Sequence, residues 1–217
     1  MALHPEFPYP IYLVITESAC RYHHWLEVAE QAILGGVDIV QLREKELSVD
    51  ELLKRAIQLK SLTDTYNIPL VINDFPDIAA HIDAWGVHVG QNDTSPSRIA
   101  RQYASPPKIG WSLENMDQLV SSEISVVHHL GVSPIYHTPT KTDTSGAWGL
   151  HGLKQLRAAT DRPLIAIGGL HVEHVQSVFE NGADSVAVVS EICGSLNPKK
   201  AAERLKNCWV QHDKKSN

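Results

Sequence analysis

The sequence predicts an α/β fold in which one domain forms a closed (β/α)8 barrel. Its 217 residues are enough to bury one substantial core. Short runs rich in β-branched residues recur eight times, and most are apolar throughout, as is typical of parallel strands covered on both faces. Repeated βα units specify a parallel sheet, and eight of them favour the TIM-barrel architecture. An open doubly wound sheet is the alternative.

The predicted strands are spread along the whole chain. They cover residues 11–16, 38–42, 69–73, 86–89, 108–111, 126–131, 164–167 and 185–189. Eight βα units usually need a longer chain than this one, so several of the connecting helices must be brief.

Two predicted helices carry clear start signals. Ser48 and Glu51 have the spacing of a capping box and precede apolar residues at helical spacing. Asn197 and Pro198 provide a cap and a first-turn proline for the last helix. We expect the single domain to span residues 1–217, with a frayed tail from about residue 211.

Composition limits the kinds of binding partner and the cellular compartments that are expected for this protein. A formal net charge of −6 argues against general binding to nucleic acid or anionic membranes, but a local basic pocket for a small anion remains compatible with it. The N-terminus lacks a signal-peptide pattern, and no apolar run approaches the roughly 20 residues of a membrane span. The three cysteines are widely spaced and odd in number, which indicates a reduced, cytoplasmic setting.

The end of the second predicted strand carries a basic cluster. Gln41, Arg43 and Lys45 alternate in the segment QLREK, so an extended backbone directs all three side chains to one side. Active sites of parallel barrels lie at the carboxyl ends of the strands. Two cations and an amide facing one space suit a multiply charged anion, and arginine binds phosphate oxygens in a bidentate manner.

The next two strands end in carboxylates. Asn73 and Asp74 close the third strand, and Asp93 follows the fourth. A single aspartate after a strand is usually a turn residue or a helix cap. Two of them at neighbouring strand ends, beside a basic cluster, indicate a Mg2+ site completed by substrate phosphate oxygens.

Later strands add polar groups at the same predicted edge. Ser112 ends the fifth strand. Gly168 and Gly169 follow the seventh strand, and Val189 and Ser190 end the eighth. Glycine pairs are also ordinary turn formers, but barrels often build a phosphate site after strands seven and eight.

Residues 133–150, after the sixth strand, form a long polar stretch. Thr138 and Thr140 are two residues apart, so an extended backbone can turn both hydroxyl groups toward one ligand. Lys141 adds a point charge suited to a phosphate. We interpret residues 142–148 as a cover that orders over bound substrates.

The histidines do not form a predicted site. The pairs at 23–24 and 128–129 lack partners at metal-ligand spacing, and we expect them to be surface or hydrogen-bonded core residues. Four others, His4, His171, His174 and His212, are predicted to lie on the surface. No nucleophile stands beside a histidine in a recognisable arrangement.

Seven motifs together resemble the thiamine-phosphate synthase family. They are QLREK, IND, GVHVGQND, IGWS, TPTK, IGG and GADSVAVVS, in the family's order, from the first strand to the start of the last helix. The resemblance implies a transferase. It would join 4-amino-2-methyl-5-hydroxymethylpyrimidine diphosphate to 4-methyl-5-hydroxyethylthiazole phosphate, releasing thiamine phosphate and pyrophosphate.

The resemblance also implies a role for each matching residue. The pyrimidine diphosphate would contact Gln41, Arg43, Lys45, Asn73, Ser112 and Lys141. The thiazole phosphate would contact Thr138, Thr140, Gly168, Gly169, Val189 and Ser190. Asp74 and Asp93 would hold Mg2+. With that ion, Arg43, Lys45 and Lys141 would stabilise the departing diphosphate.

Two positions depart from the family pattern, and two other functions stay open. Glu114 stands where many members carry histidine, and His137 stands where proline is usual. A thiazole tautomerase-like isomerase shares the fold but has no need of two metal-binding aspartates. A non-catalytic binder of thiamine precursors would keep the phosphate contacts. In each case the partners are small phosphorylated molecules, and the sequence indicates no oligomeric state.

Overall fold

In a computed structural model, which describes residues 3–137 and 146–216, eight parallel strands close into a barrel in sequence order. The open-sheet alternative is therefore wrong. The strands are β1 (Ile11–Ile15), β2 (Ile39–Leu42), β3 (Leu70–Asn73), β4 (Gly86–Val89), β5 (Lys108–Leu113), β6 (His129–Val132), β7 (Leu164–Ile167) and β8 (Ser185–Val188).

Predicted and observed strands agree except at the start of β6. Most boundaries differ by no more than two residues, whereas β6 begins at His129 and not at residue 126. The difference arises because Ser122–Val126 forms a 3-10 helix, which ends with Val126. Its apolar residues resemble the beginning of a strand in the sequence.

The helices surround the barrel, and half of them are short, as the chain length predicts. They are α1 (Trp25–Leu34), α2 (Val49–Thr65), α3 (Pro76–His81), α4 (Pro96–Gln102), α5 (Gly149–Ala159), α6 (Val175–Glu180), α7 (Ser190–Cys193) and α8 (Pro198–Ser216). Between β5 and β6 the chain forms two 3-10 helices, Met116–Val120 and Ser122–Val126. No helix within the described ranges is long and apolar enough to span a membrane.

The two predicted start signals are confirmed. The Ser48 hydroxyl accepts a hydrogen bond from the Glu51 amide, and the Glu51 carboxylate accepts one from the Ser48 amide. At α8 the Asn197 side chain accepts from the Lys200 amide at 2.9 Å. Residues from 211 continue α8 to Ser216, so fraying there stays a prediction.

Strand alternation divides the apolar residues between two cores. In β1, Ile11, Leu13 and Ile15 pack against the helices, whereas Tyr12 and Val14 face the barrel interior. The interior cluster also contains Phe7, which is fully buried although it precedes the first strand. Burying both strand faces explains why the strands read as continuous apolar runs.

Aromatic residues close the amino-terminal end of the barrel. The ring of Phe7 lies 5.2 Å from that of Tyr9 and 5.8 Å from that of Trp85, both edge to face. The same ring lies 4.9 Å from the imidazole of His129. Such contacts fill the barrel base and leave the carboxyl end as the accessible face.

Candidate active site

A cavity of about 160 Å3 lies at the carboxyl ends of the strands. Seven residues predicted for the site line it: Gln41, Arg43, Lys45, Asn73, Asp74, Asp93 and Ser112. Glu114, one of the two departures from the family pattern, lines it as well. The barrel thus gathers residues from four consecutive strand ends around one space.

β2 places one side chain inside the barrel and two at its mouth. Gln41 is buried and donates a hydrogen bond from Nε2 to the Tyr12 hydroxyl at 2.7 Å. Burial raises the pKa of Tyr12 well above its usual value, so the phenol stays neutral. Arg43 and Lys45 continue the same alternation beyond the strand end and line the same cavity. The predicted common orientation of these three residues is confirmed.

Asp74 and Asp93 are brought together beside Lys45. The Asp74 carboxylate lies 2.9 Å from the Lys45 ammonium, and Asp93 is close enough to raise the pKa of Asp74. Its backbone has a φ of 66°, and its amide donates to the His88 carbonyl at 2.9 Å. A left-handed conformation is unusual for a residue other than glycine, and such strain concentrates at functional sites.

Electrostatics at this pair favour a bound cation. Burial raises the pKa of Asp74, the contact with Asp93 raises it further, and Lys45 opposes both effects. Asp93 is held in place by the Gly90 amide, which donates to its carboxylate at 2.7 Å. The two carboxylates therefore have more negative charge than the single lysine balances.

The donor set fits a hard divalent ion. Among the residues with described positions, no group of three or more His, Cys, Asp or Glu side chains could enclose a metal. Two carboxylates are nevertheless a suitable partial shell for Mg2+, which keeps waters and shares substrate phosphate oxygens. The fit is thus to an ion that arrives with, or is completed by, a phosphorylated ligand.

His88 lines the cavity, although the sequence patterns predicted no role for it. Its Nε2 lies 2.9 Å from the Ser112 hydroxyl, and Gln91 donates to the Ser112 carbonyl at 2.5 Å. The signal was present in the segment GVHVG: Val87 and Val89 belong to the outer core, so the residue between them faces inward.

His129 lies on the cavity floor with neither ring nitrogen hydrogen-bonded to the described part of the protein. Burial lowers its pKa well below the usual value, and the neighbouring His88 and His128 lower it further. The ring is therefore neutral. Our expectation of a surface or hydrogen-bonded core residue is wrong here, because the described residues that enclose the ring include Phe7 and Trp85 and give it no hydrogen bond.

A missing side chain makes room for both imidazoles. Gly110 lies between His88 and His129 in the register of three adjacent strands. A β-carbon at residue 110 would lie 2.2 Å from the His129 Nε2 and 2.5 Å from the His88 Nδ1. Glycine at this position is thus a packing requirement of the cavity floor.

Another histidine prediction also fails. His212 is buried, with its ring stacked on Phe179 at a centroid distance of 5.6 Å, although we predicted a surface position. It lies on α8, whose inner face packs against α6. By contrast, His128 accepts a hydrogen bond from the Ile109 amide at 3.0 Å, in agreement with the expected hydrogen-bonded residue.

The described residues of the predicted thiazole-phosphate site, Gly168, Gly169, Val189 and Ser190, are not part of the cavity lining. Gly168 and Gly169 have φ values of 100° and 65°, and added β-carbons would lie 2.7 Å from Pro134 and 2.9 Å from Tyr136. Close packing against the segment after β6 is therefore a sufficient reason for both glycines. A role in phosphate binding stays a prediction.

The remaining predicted residues divide between described and undescribed parts of the chain. Val189 and Ser190 lie where β8 passes into α7, on the same face of the barrel as the cavity. Thr138, Thr140 and Lys141 lie outside the described residues, as does most of the predicted cover at 142–148. His137 is exposed.

Comparison with known proteins gives one consistent result. Residues 11–192 match the family model described as thiamine monophosphate synthase. The thiamine-phosphate synthase of Albidiferax ferrireducens is 45% identical over 196 residues, which is 90% of each chain. That of Vibrio parahaemolyticus is 41% identical and covers 91% of this chain and 96% of its own.

A solved structure agrees in fold over nearly the whole chain. The thiamine phosphate pyrophosphorylase from Pyrococcus furiosus superposes with a TM-score of 0.84 and 26% sequence identity, covering 94% of this chain and 96% of its own. Both of these relatives are named thiamine-phosphate synthase. This chain belongs to the thiamine monophosphate synthase family.

Proposed function

We propose that this protein condenses 4-amino-2-methyl-5-hydroxymethylpyrimidine diphosphate with 4-methyl-5-hydroxyethylthiazole phosphate, yielding thiamine phosphate and pyrophosphate. Family membership supports the reaction type. The observation that carries the proposal is the meeting of Arg43, Lys45 and the Asp74–Asp93 pair at the mouth of one cavity.

The cavity suits a substrate with a flat polar ring and a charged tail. Gln41, inside the barrel, presents an amide that can hydrogen bond a heterocycle, and its contact with Tyr12 holds it in position. Arg43 and Lys45 stand nearer the mouth, where a diphosphate would meet positive charge. Asn73 and Ser112 add neutral hydrogen-bonding groups between these two regions.

Asp74 and Asp93 would hold Mg2+, together with phosphate oxygens of the substrate. When bound, the ion supplies charge neutralisation for the departing diphosphate. Lys45 already bonds to Asp74, so the same residue links the carboxylate pair to the diphosphate region.

The chemistry requires electrostatic stabilisation more than proton transfer. Breaking the C–O bond leaves a methylene cation that the ring amino group stabilises, and the negative charge moves onto the diphosphate. Arg43, Lys45 and the predicted Lys141 would stabilise that charge. The thiazole nitrogen attacks with its own lone pair, so no general base is needed. Neutral His129 is consistent with such a site.

The thiazole phosphate is assigned to the other side of the barrel mouth. Thr138 and Thr140, Gly168 and Gly169, and Val189 and Ser190 are the proposed contacts, on the basis of the family motifs. With the thiazole phosphate bound there, the negatively charged groups of the two substrates would lie on opposite sides of the reacting atoms.

The decisive experiment is synthesis of thiamine phosphate by the purified protein from both substrates, with Mg2+ and with excess chelator. We expect product only with the metal. Arg43→Ala should lower kcat/KM about 100-fold, in line with the loss of one charge-stabilising group. The matched control is Arg98→Ala, an exposed arginine on α4 outside the cavity lining, which should leave the rate unchanged.

The alternatives give different results in the same assays. Interconversion of thiazole carboxylate tautomers without the pyrimidine substrate would identify an isomerase. Binding of either phosphorylated precursor without turnover would identify a carrier. Either result, with no thiamine phosphate formed, contradicts the proposal.

We also propose a cytoplasmic location. The three cysteines are free thiols, which suits a reducing compartment. Fractionation of cells followed by detection of the protein tests this assignment, and recovery in a membrane or secreted fraction would contradict it.

A further inference from the structure

Two of the three cysteines lie side by side, although 172 positions separate them in the sequence. Cys20 follows the 3-10 helix Glu17–Ala19, and Cys193 ends α7. Their thiols are in hydrogen-bonding contact. The backbones are adjacent too, since the Arg21 amide donates to the Cys193 carbonyl at 3.4 Å.

The surroundings of the two thiols differ. Cys20 is partly exposed, and its thiol donates to the Thr16 carbonyl at 3.4 Å. Cys193 is buried, with its sulfur 4.0 Å from the Val14 carbonyl. Both sulfurs therefore lie near the carboxyl end of β1, but a reagent in solution can reach Cys20 and not Cys193.

The hydrogen bond between the thiols also makes them chemically unequal. Donation from Cys193 lowers the pKa of Cys20, an effect that burial and the charges of Glu44 and Glu17 oppose. The same contact, together with burial, raises the pKa of Cys193. An accessible thiol that ionises more readily, beside a protected one that stays protonated, is the arrangement of a reactive cysteine and its resolving partner.

We propose that Cys20 and Cys193 form a reversible disulfide when the protein meets a hydroperoxide. The Cys20 thiolate attacks one peroxide oxygen and becomes a sulfenic acid, as the O–O bond breaks and hydroxide leaves. Cys193 then attacks the Cys20 sulfur, losing its proton and displacing the hydroxyl group as water. Overall two thiols and one hydrogen peroxide give one disulfide and two waters.

The bond would join the segments that follow β1 and β8 at the carboxyl end of the barrel. Cys20 lies in the connection between β1 and α1, and Cys193 lies three residues after Ser190, where α7 begins. The test of the disulfide is independent of the proposed reaction, because it detects the bond in the protein and does not measure turnover.

The test is peptide mapping of the folded, reduced protein after brief exposure to hydrogen peroxide, followed by alkylation and non-reducing digestion. We expect one cross-linked peptide pair containing Cys20 and Cys193, with the loss of two hydrogen atoms, and its disappearance after treatment with dithiothreitol. Recovery of Cys193 in alkylated form while Cys20 carries a sulfinic acid would overturn the proposal, as would disulfides formed mainly through Cys208.

Three variants sharpen the result. Cys208→Ser, which removes the cysteine outside the pair, should leave the cross-link unchanged, whereas Cys20→Ser should abolish it. In Cys193→Ala, Cys20 should be alkylated more slowly at neutral pH, because the hydrogen bond that lowers its pKa is gone. Equal alkylation rates in wild type and Cys193→Ala would contradict the assigned roles. The wild-type map decides the cross-link itself even if a variant folds poorly.

Discussion

The two ends of the barrel interior bury polar groups with opposite consequences. At the mouth, Asp74 is partly buried beside Asp93 with one lysine nearby, and its pKa is raised. At the base, His129 is enclosed by aromatic rings and its pKa is lowered. Burial is the largest cause in both cases, because a low-dielectric environment disfavours whichever form is charged.

This difference between the mouth and the base shows where the barrel can keep charged side chains that act on a ligand. The mouth keeps two carboxylates close together at a cost in stability, and a cation or a charged substrate can offset that cost. At the base His129 is fully buried, so the imidazole stays neutral and contributes shape. We therefore expect changes at the mouth to alter turnover, and changes at the base to alter folding.

The largest expected effect is on turnover, from Asp74→Asn. Removing one carboxylate should lower kcat by about 100-fold, equivalent to about 2.7 kcal/mol of transition-state stabilisation. The melting temperature without ligand should rise, since the repulsion with Asp93 is relieved. Steady-state kinetics and thermal denaturation measure the two effects.

The control for this variant is Asp77→Asn. Asp77 lies on α3 and accepts hydrogen bonds from Tyr103 and Gln102, away from the cavity lining. Its loss should leave kcat unchanged. Parallel loss of activity in both aspartate variants would indicate a general structural effect and remove the special role of Asp74.

The next effect is on stability, from Gly110→Ala at the cavity floor. The new methyl group would collide with two enclosed imidazoles, and we expect a loss of about 1–3 kcal/mol in the free energy of unfolding. Denaturant titration measures it. The double variant Gly110→Ala with His129→Ala should lose less than the sum of the two single changes, because the nearer collision is gone. Strict additivity would contradict this packing explanation.

His129→Leu tests the pH dependence of the base. The folded pKa of His129 lies below its unfolded value of about 6.5, so the unfolded chain binds more protons below that pH. Wild-type stability should consequently fall as the pH drops below about 6.5, by at most about 1.4 kcal/mol per pH unit from this residue. The leucine variant should show a shallower dependence and, at pH 7, equal or greater stability. Identical pH profiles would show that His129 has a partner or remains uncharged in both states.

The smallest expected effect is that of Ser112→Ala. It removes one neutral hydrogen-bonding group, worth about 0.5–1.5 kcal/mol, so KM for the pyrimidine diphosphate should rise about twofold to tenfold. Because the Ser112 carbonyl still accepts from Gln91, the end of β5 should keep its structure. A kcat loss as large as that of Asp74→Asn would break the distinction between charged and neutral mouth residues.

Much of the site was predictable because strand alternation is a local property. Gln41, Arg43 and Lys45 face one side in any extended segment, and a parallel barrel brings them next to Asp74, Asp93 and Ser112. The same rule could have identified His88 between Val87 and Val89. It could not explain why glycine occupies positions 168 and 169. Only the folded structure shows how closely the segment after β6 packs against Gly168 and Gly169.

The sequence by itself determined the order of strands and helices, the direction of the polar side chains on each strand, and membership in the family. These depend on short-range periodicity and on motifs that are contiguous in the chain. Only the tertiary structure decided that His129 is buried without a hydrogen-bond partner among the described residues, that Gly110 is a packing necessity, and that Cys20 meets Cys193. Each of these depends on distances between residues far apart in sequence, which closure of the barrel sets and local patterns do not record.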